Sequence, residues 1–470
     1  MVKEGMILKL FDVSTYVPSH MVQETLPSSK AVFKRTLDIA LPSTIESVLI
    51  SLIGAVDSMM VGTIGADAIA AVGITTQPKF IILCMILSLN IGVTVVVSHR
   101  KGEGNRLAAN QCMKQAWLIS AMISLILSVV GFTFAREILT FAGATSDYID
   151  LAMIYFRAIM VGNFFNCMSL TINAAQKGSG NTKIAMKTNV TANLVNLVFN
   201  YFLINGIACF PKWGVLGAGI ATSLGNFVAF VMSVYSITVT KGYIHFDIKE
   251  KFRFDKKTFK DIYKIASSAF VEQVFLRLGF FMYSKTIAGL GMIAFAAHNV
   301  CMNVLHISFS FGDGLSVATS SLVGQSLGAK RKDLAMIYSK ATQRIGNCIG
   351  IILGIFVILF RVQIVSLFTN EPIIIETAAN IMFIITVTLF FQISQVVTYG
   401  CLRSAGDVKF TALLSLISVT LVRPGLTWVL VNFLHTGLIG AWIGLFLDQI
   451  VRFGGSKWRH RKGNWVDIEI

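Results

Sequence analysis

Charge is what this chain has least of. Only 14% of its 470 residues are Asp, Glu, Lys or Arg, whereas a soluble domain carries about a quarter. Spread over the whole length, that deficit excludes an ordinary soluble fold. Proline is scarce too, at 7 residues against 38 glycines, a balance that suits helices packed closely in a bilayer. The seven cysteines (Cys84, Cys112, Cys167, Cys209, Cys301, Cys348 and Cys401) include no CxxC pair, and most lie in apolar runs. They read as structural filler rather than metal ligands or disulfides. No Walker A loop, HExxH, GxSxG or Rossmann glycine fingerprint is present, so ATP is not an internal energy source and no enzyme signature competes. The first thirty residues lack the basic start, apolar core and small-residue cleavage site of a signal peptide, and Met6–Phe11 is too short for that core. The expectation for Met1–Ser29 is a poorly ordered cytoplasmic extension.

What the chain does have is apolar length. Hydrophobic residues make up 54% and the mean hydropathy is +0.71. Stretches able to cross a bilayer fall at roughly 36–61, 68–98, 107–135, 148–176, 183–206 and 215–240, then 260–288, 293–326, 333–360, 374–402, 409–434 and 437–456. The net charge of +16 sits between these runs, where it suits anionic lipid headgroups rather than nucleic acid. Lys and Arg alternate between loops. Arg100, Lys101 and Arg106 follow helix 2, Lys177 and Lys183 follow helix 4, and Lys330, Arg331 and Lys332 follow helix 8. Arg403 and Lys409 follow helix 10, and Lys457, Arg459, Arg461 and Lys462 follow helix 12, whereas Gly62–Asp67 has none. Positive charge marks the cytoplasmic side, so both termini are expected there.

One offset runs through the chain. Glu46 matches Glu272 (272 − 46 = 226), and the same 226 relates Gly65 to Gly291, Ala71 to Ala297, Gly102 to Gly328, Gly180 to Gly406 and Lys183 to Lys409. Six helices per repeat is an even number, so both halves insert the same way, as parallel repeats do. The expected fold is an all-α polytopic membrane protein, with twelve transmembrane helices in two six-helix lobes related by an internal parallel repeat. Its order is a cytoplasmic extension at 1–33, an N-lobe at 34–240, a basic cytoplasmic linker at 241–259, a C-lobe at 260–456 and a basic cytoplasmic tail at 457–470.

Ionisable groups within apolar helices are expensive, which makes each a functional candidate. Glu46 and Asp57 share a face of helix 1, about 16 Å apart along the axis, either for ion coupling or as polar braces. Asn189, Asn193, Asn196 and Asn200 form one stripe on helix 5, within about 60° of one another. The stripe faces a water-filled cavity or glues helices, and Asn173 on helix 4 is placed to join it. On helix 7, Glu272 is a cation site or half of an ion pair, about 140° around the helix from Arg277. Asp313, Arg423 and Asp448 offer partners, structural pairing being the reading for Arg277 and Arg423. Pro42 and Pro424 are placed to bend their helices.

At these residues the chain resembles the MATE (multidrug and toxic compound extrusion) family, from about Lys34 to Lys457. The resemblance rests on Pro42, Val56-Asp57, Met60-Val61-Gly62, Gly65 and Ala70-Ala71-Val72-Gly73. It extends through Gln176-Lys177-Gly178-Ser179-Gly180-Asn181-Thr182-Lys183, Leu322-Val323-Gly324-Gln325-Ser326-Leu327-Gly328-Ala329 and Leu402-Arg403-Ser404-Ala405-Gly406-Asp407. It implies alternating access and H⁺ or Na⁺ antiport of amphipathic, often cationic drugs. The chain is expected to act as a monomer in the inner membrane, with no cofactor beyond the coupling ion. In the DinF-like branch it implies that Asp57, Asn173, Asn196 and Asn200 surround an N-lobe cavity; in the NorM-like branch, that Glu272 helps form a C-lobe cation site, with Na⁺ a candidate there. The chain departs from both patterns. Asn200 stands where Asp is frequent, and helix 10 offers Gln392 and Gln395 in place of an acid. The alternatives are a lipid-linked sugar flippase of related architecture, disfavoured because most Lys and Arg sit in loops, and a non-transporting membrane enzyme or receptor.

Overall fold

A computed structural model describes residues 11–207, 210–240, 242–246 and 254–468. Among them every regular element is helical, as a lipid environment requires of a chain whose backbone groups must be satisfied within each segment. The long helices are α1 (Ser29–Gly62), α2 (Ala66–Gly102), α3 (Arg106–Thr133), α4 (Ile149–Gly178), α5 (Thr182–Asn205), α6 (Val215–Thr238), α7 (Lys256–Ala288), α8 (Met292–Gly328), α9 (Lys332–Leu359), α10 (Pro372–Ser404), α11 (Val408–Phe433) and α12 (Gly437–Arg461). Eleven are long and apolar enough to cross a membrane. The twelfth, α5, has the same 24 residues as α6, but its asparagine stripe and two lysines dilute its hydropathy.

The chain divides into two compact units, Ile45–Phe270 and Met1–Thr44 with Val271–Ile470. In the first, α4 packs on α2, α3 and α6, and α5 lies against α6. In the second, α10 packs on α8, α9 and α12, and α11 lies against α12. Adding six to each label of the first set generates the second, so the repeat extends to the packing. Glycine permits close approaches: a Cβ at Gly162 of α4 would lie 2.5 Å from Ser223 Cα of α6, and one at Gly400 of α10 2.5 Å from the Ser316 carbonyl oxygen of α8.

Three boundaries differ from the sequence expectation. α1 begins at Ser29, and the segment before it is packed rather than loose. Val13, Tyr16 and Val17 are buried in one cluster with Val32, Leu322, Tyr338 and Trp465. The Tyr16 carbonyl accepts from Lys340 Nζ at 2.6 Å, and Arg344 lies 5.2 Å from the Tyr16 ring centroid. A short segment with three buried apolar anchors offsets the entropy of ordering it. The linker ends sooner than expected, because Asp255 caps α7 and the helix starts at Lys256. The tail is structured too: α12 runs to Arg461, and Trp465 is buried in a 3₁₀ turn, stacked 5.3 Å from His460. Residues 1–10, Cys209 and linker residues 247–253 lie outside the described residues.

The two intramembrane prolines behave differently. α1 continues through Pro42. Around Pro424, α11 passes through π turns at Leu416–Val422 and Val429–Phe433. A proline gives no N–H to the helix and crowds the preceding turn, and wider turns relieve both.

Candidate functional site

The acids of α1 meet the asparagines of α5. Asn189 Nδ2 donates to Glu46 Oε1 at 2.5 Å, and Asn200 donates to Asp57. Partners in both bonds are 143 residues apart, so the two helices run side by side in one direction and hold register for about three turns. The other two asparagines point elsewhere. Asn196 donates to Thr222 Oγ1 of α6 at 3.1 Å, and Asn193 to the Asn189 carbonyl at 2.7 Å. The stripe is therefore divided between two acids, α6 and its own helix.

Glu46 is 2% exposed and also accepts from Lys177 Nζ at 2.7 Å. Lys177 lies in the last turn of α4, a favourable place for a cation. Gly180, at φ 80°, ends that helix, its N–H bonded to the Lys177 carbonyl at 2.9 Å. One turn earlier, Asn173 Nδ2 donates to Asn189 Oδ1 at 3.2 Å, and Asn173 Oδ1 accepts from Ser233 of α6 at 3.4 Å. Asp57 stands apart. It is partly exposed, has no ion-pair partner among the described residues, and feels the charge of Lys79 on α2.

The second unit holds the same construction. Glu272, 1% exposed, accepts from Arg403 at 2.7 Å and from Ser415 Oγ at 2.8 Å, and Ser415 in turn reaches the Tyr399 hydroxyl at 3.2 Å. Chain separations repeat to the residue: 131 from glutamate to base, 143 from glutamate to the next helix, and 16 between the last two partners. Gly406, at φ 86°, ends α10 as Gly180 ends α4. Asp57 has no such twin; its counterpart is Tyr283, which donates to the Ala441 carbonyl at 3.2 Å.

Arg423 and Asp448, offered by the sequence as partners for helix 7, pair with each other at 2.5 Å, with Arg452 also on Asp448 at 2.9 Å. The guanidinium of Arg423 lies 4.6 Å from the Phe280 ring centroid. The charge of Arg277 reaches His306 on α8. Gln392 and Gln395 are buried on α10, each with its Oε1 unpartnered among the described residues. No group of three metal-binding side chains occurs among the described residues. Lys177, Arg403, Ser415 and Tyr399 escaped the sequence reading as site residues. In the sequence Lys177 and Arg403 read as loop charges, although the offset of 226 that relates the glutamates also relates these bases (403 − 177 = 226).

Two repeats of membrane-length helices, each burying a paired carboxylate on its first helix, define an internally duplicated membrane transporter. The MatE family profile matches residues 42–202 and 268–429, one segment in each repeat. The chain belongs to this family of multidrug and toxic compound extrusion transporters, and it is not an enzyme. It is 26% identical over 460 residues to a probable multidrug resistance protein NorM of Thermotoga maritima, covering 95% of this chain and 96% of that one. To the uncharacterized transporter YisQ of Bacillus subtilis it is 26% identical over 427 residues, covering 89% and 92%. Its fold matches the outward-facing conformation of a multidrug resistance MATE transporter of the MOP superfamily with a TM-score of 0.87, at 19% identity and covering 93% and 97% of the two chains.

Proposed function

We propose that the protein exports amphipathic, often cationic compounds in exchange for H⁺ or Na⁺ by alternating access, as a monomer with both termini on the cytoplasmic side of the cell membrane. Membership of a multidrug-export family supports the reaction class. The Lys and Arg asymmetry of the loops supports the orientation.

The observation that carries the coupling is the environment of Asp57. Glu46 and Glu272 already hold a base. Asp57 lies within a membrane helix, is held by Asn200 and has no ion-pair partner among the described residues. A carboxylate in so apolar a place gains strongly from a counter-cation. A small ion and a cationic drug both satisfy that demand, and occupancy by one weakens the claim of the other. Competition for a single charge is the simplest basis for exchange.

The test is ethidium efflux from vesicles with the pH gradient and the Na⁺ gradient imposed separately. Efflux driven by one gradient supports antiport and names the ion. Retention of ethidium, and of other cationic drugs, under both gradients would contradict it.

A further inference from the structure

We propose that Glu46, Asn173 and Asn189 form a binding site for a small monovalent metal cation, and that the Lys177 ammonium is its tethered occupant. The proposal goes beyond coupling at Asp57. Occupancy is measurable without any drug, so the two ideas fail separately.

The first observation is an unused oxygen. Lys177 and Asn189 both bond to Oε1 of Glu46, while Oε2 is buried with no partner among the described residues. A buried ion pair that serves only as a brace is stable when its remaining lone pairs are satisfied. Glu272 Oε2 is likewise buried and unpartnered among the described residues, so both repeats leave half of the carboxylate open and the neighbouring side chains decide what fills it.

The second is the chemistry of the surroundings. Asn189 and Asn173 are linked through their side-chain amides, and Ser169 and Ser233 lie on Asn173 at 3.4 Å. Turning an amide by half a rotation replaces its N–H with its carbonyl oxygen. Glu46 and the two asparagines then present carboxylate and amide oxygens, the donors that hard cations prefer. Lys177 is 20% exposed, and its flexible stem lets the ammonium retreat toward the helix end while the carboxylate stays.

The third is the contrast with the other half. At equivalent positions Glu272 faces Arg403, Ser415 and Tyr399. A guanidinium is planar and stacks on aromatic rings, and Arg403 lies 5.4 Å from the Tyr399 ring centroid. The side chains that bond to Glu272 are a guanidinium and a hydroxyl, and the guanidinium is the less displaceable cation. The duplicated site is therefore exchangeable in the first repeat and held in the second.

The experiment measures acylation of Lys177 by mass spectrometry on the full-length protein in detergent, at fixed pH and ionic strength, with Na⁺ replacing choline. Na⁺ should raise Lys177 labelling several-fold and leave exposed Lys183 unchanged. Asn173→Leu, which leaves the ion pair intact, should abolish the rise. Labelling of Lys177 that ignores Na⁺ would overturn the proposal and leave a structural brace. An equal rise in Asn173→Leu would also overturn it, because the effect would then be independent of the amide oxygens. Should Asn173→Leu fail to fold, Lys177 labelling of the unaltered protein that is the same in Na⁺ and choline still overturns the proposal.

Discussion

The side-chain amide of Asn200 donates to the carboxylate of Asp57, and Asn200 is itself fully buried. Its Oδ1 has no partner among the described residues, so the contact to Asp57 is the main polar bond holding this side chain in place. One amide thus positions the acid proposed to exchange cations.

Asn200→Leu removes that donor without changing the helix. Hydrogen bonds to charged groups contribute about 1.5–3 kcal/mol, so efflux should fall about tenfold or more at equal membrane content. Asn196→Leu, which loses only the neutral bond to Thr222, should cost less. Efflux that matches the parent in Asn200→Leu would make the amide a bystander.

The pair of Arg423 and Asp448 should behave as structure. Both side chains are buried, at 1% and 0% exposure. Asp448→Asn leaves Arg423 and Arg452 without their counter-charge, and breaking such a pair costs about 3–5 kcal/mol. The melting temperature in detergent should drop markedly. A variant that melts normally yet transports nothing would move this pair into the transport machinery.

Asp255, just before α7, gives a pH signature outside the membrane spans. The Thr258 hydroxyl, above all, and the backbone N–H groups of Lys257 and Thr258 hold its carboxyl below the ordinary value. A lowered folded-state value means that the stabilisation is complete above the unfolded-state value and is lost as pH falls through the folded one. Asp255→Ala should therefore lower stability by about 1 kcal/mol near neutral pH, the usual worth of an N-cap. The gap to the parent should close under acid. A gap constant with pH would show that the carboxylate charge is irrelevant there.

Orientation is tested by labelling. Cysteines at exposed Lys183 and Lys330 should react with an impermeant thiol reagent from the cytoplasmic side only, and cysteines at exposed Thr63 and Met292 from outside only. The reverse pattern would invert the proposed topology.

Much of this was legible before the structure. Apolar length gave the helices, and repeated pairs such as Glu46 with Glu272 gave the duplication. Three things were hidden. Lys177 and Arg403 sit at helix ends, where a base ordinarily marks topology, and only folding shows that they reach back to a buried glutamate. Glu46 and Asp57 share a helix face but not a partner, because α5 supplies a separate amide to each. The packing of Tyr16 depends on α9 and the Trp465 turn, hundreds of residues away, and no local pattern near Tyr16 announces them.

The most direct test of the account is ethidium efflux by Asp57→Asn. Asparagine keeps the size and hydrogen bonding of the side chain but removes the exchangeable charge. The account predicts no efflux under either a pH or a Na⁺ gradient, with drug binding to the solubilised protein retained within about tenfold, or 1.4 kcal/mol. Full efflux by Asp57→Asn under both gradients would contradict it.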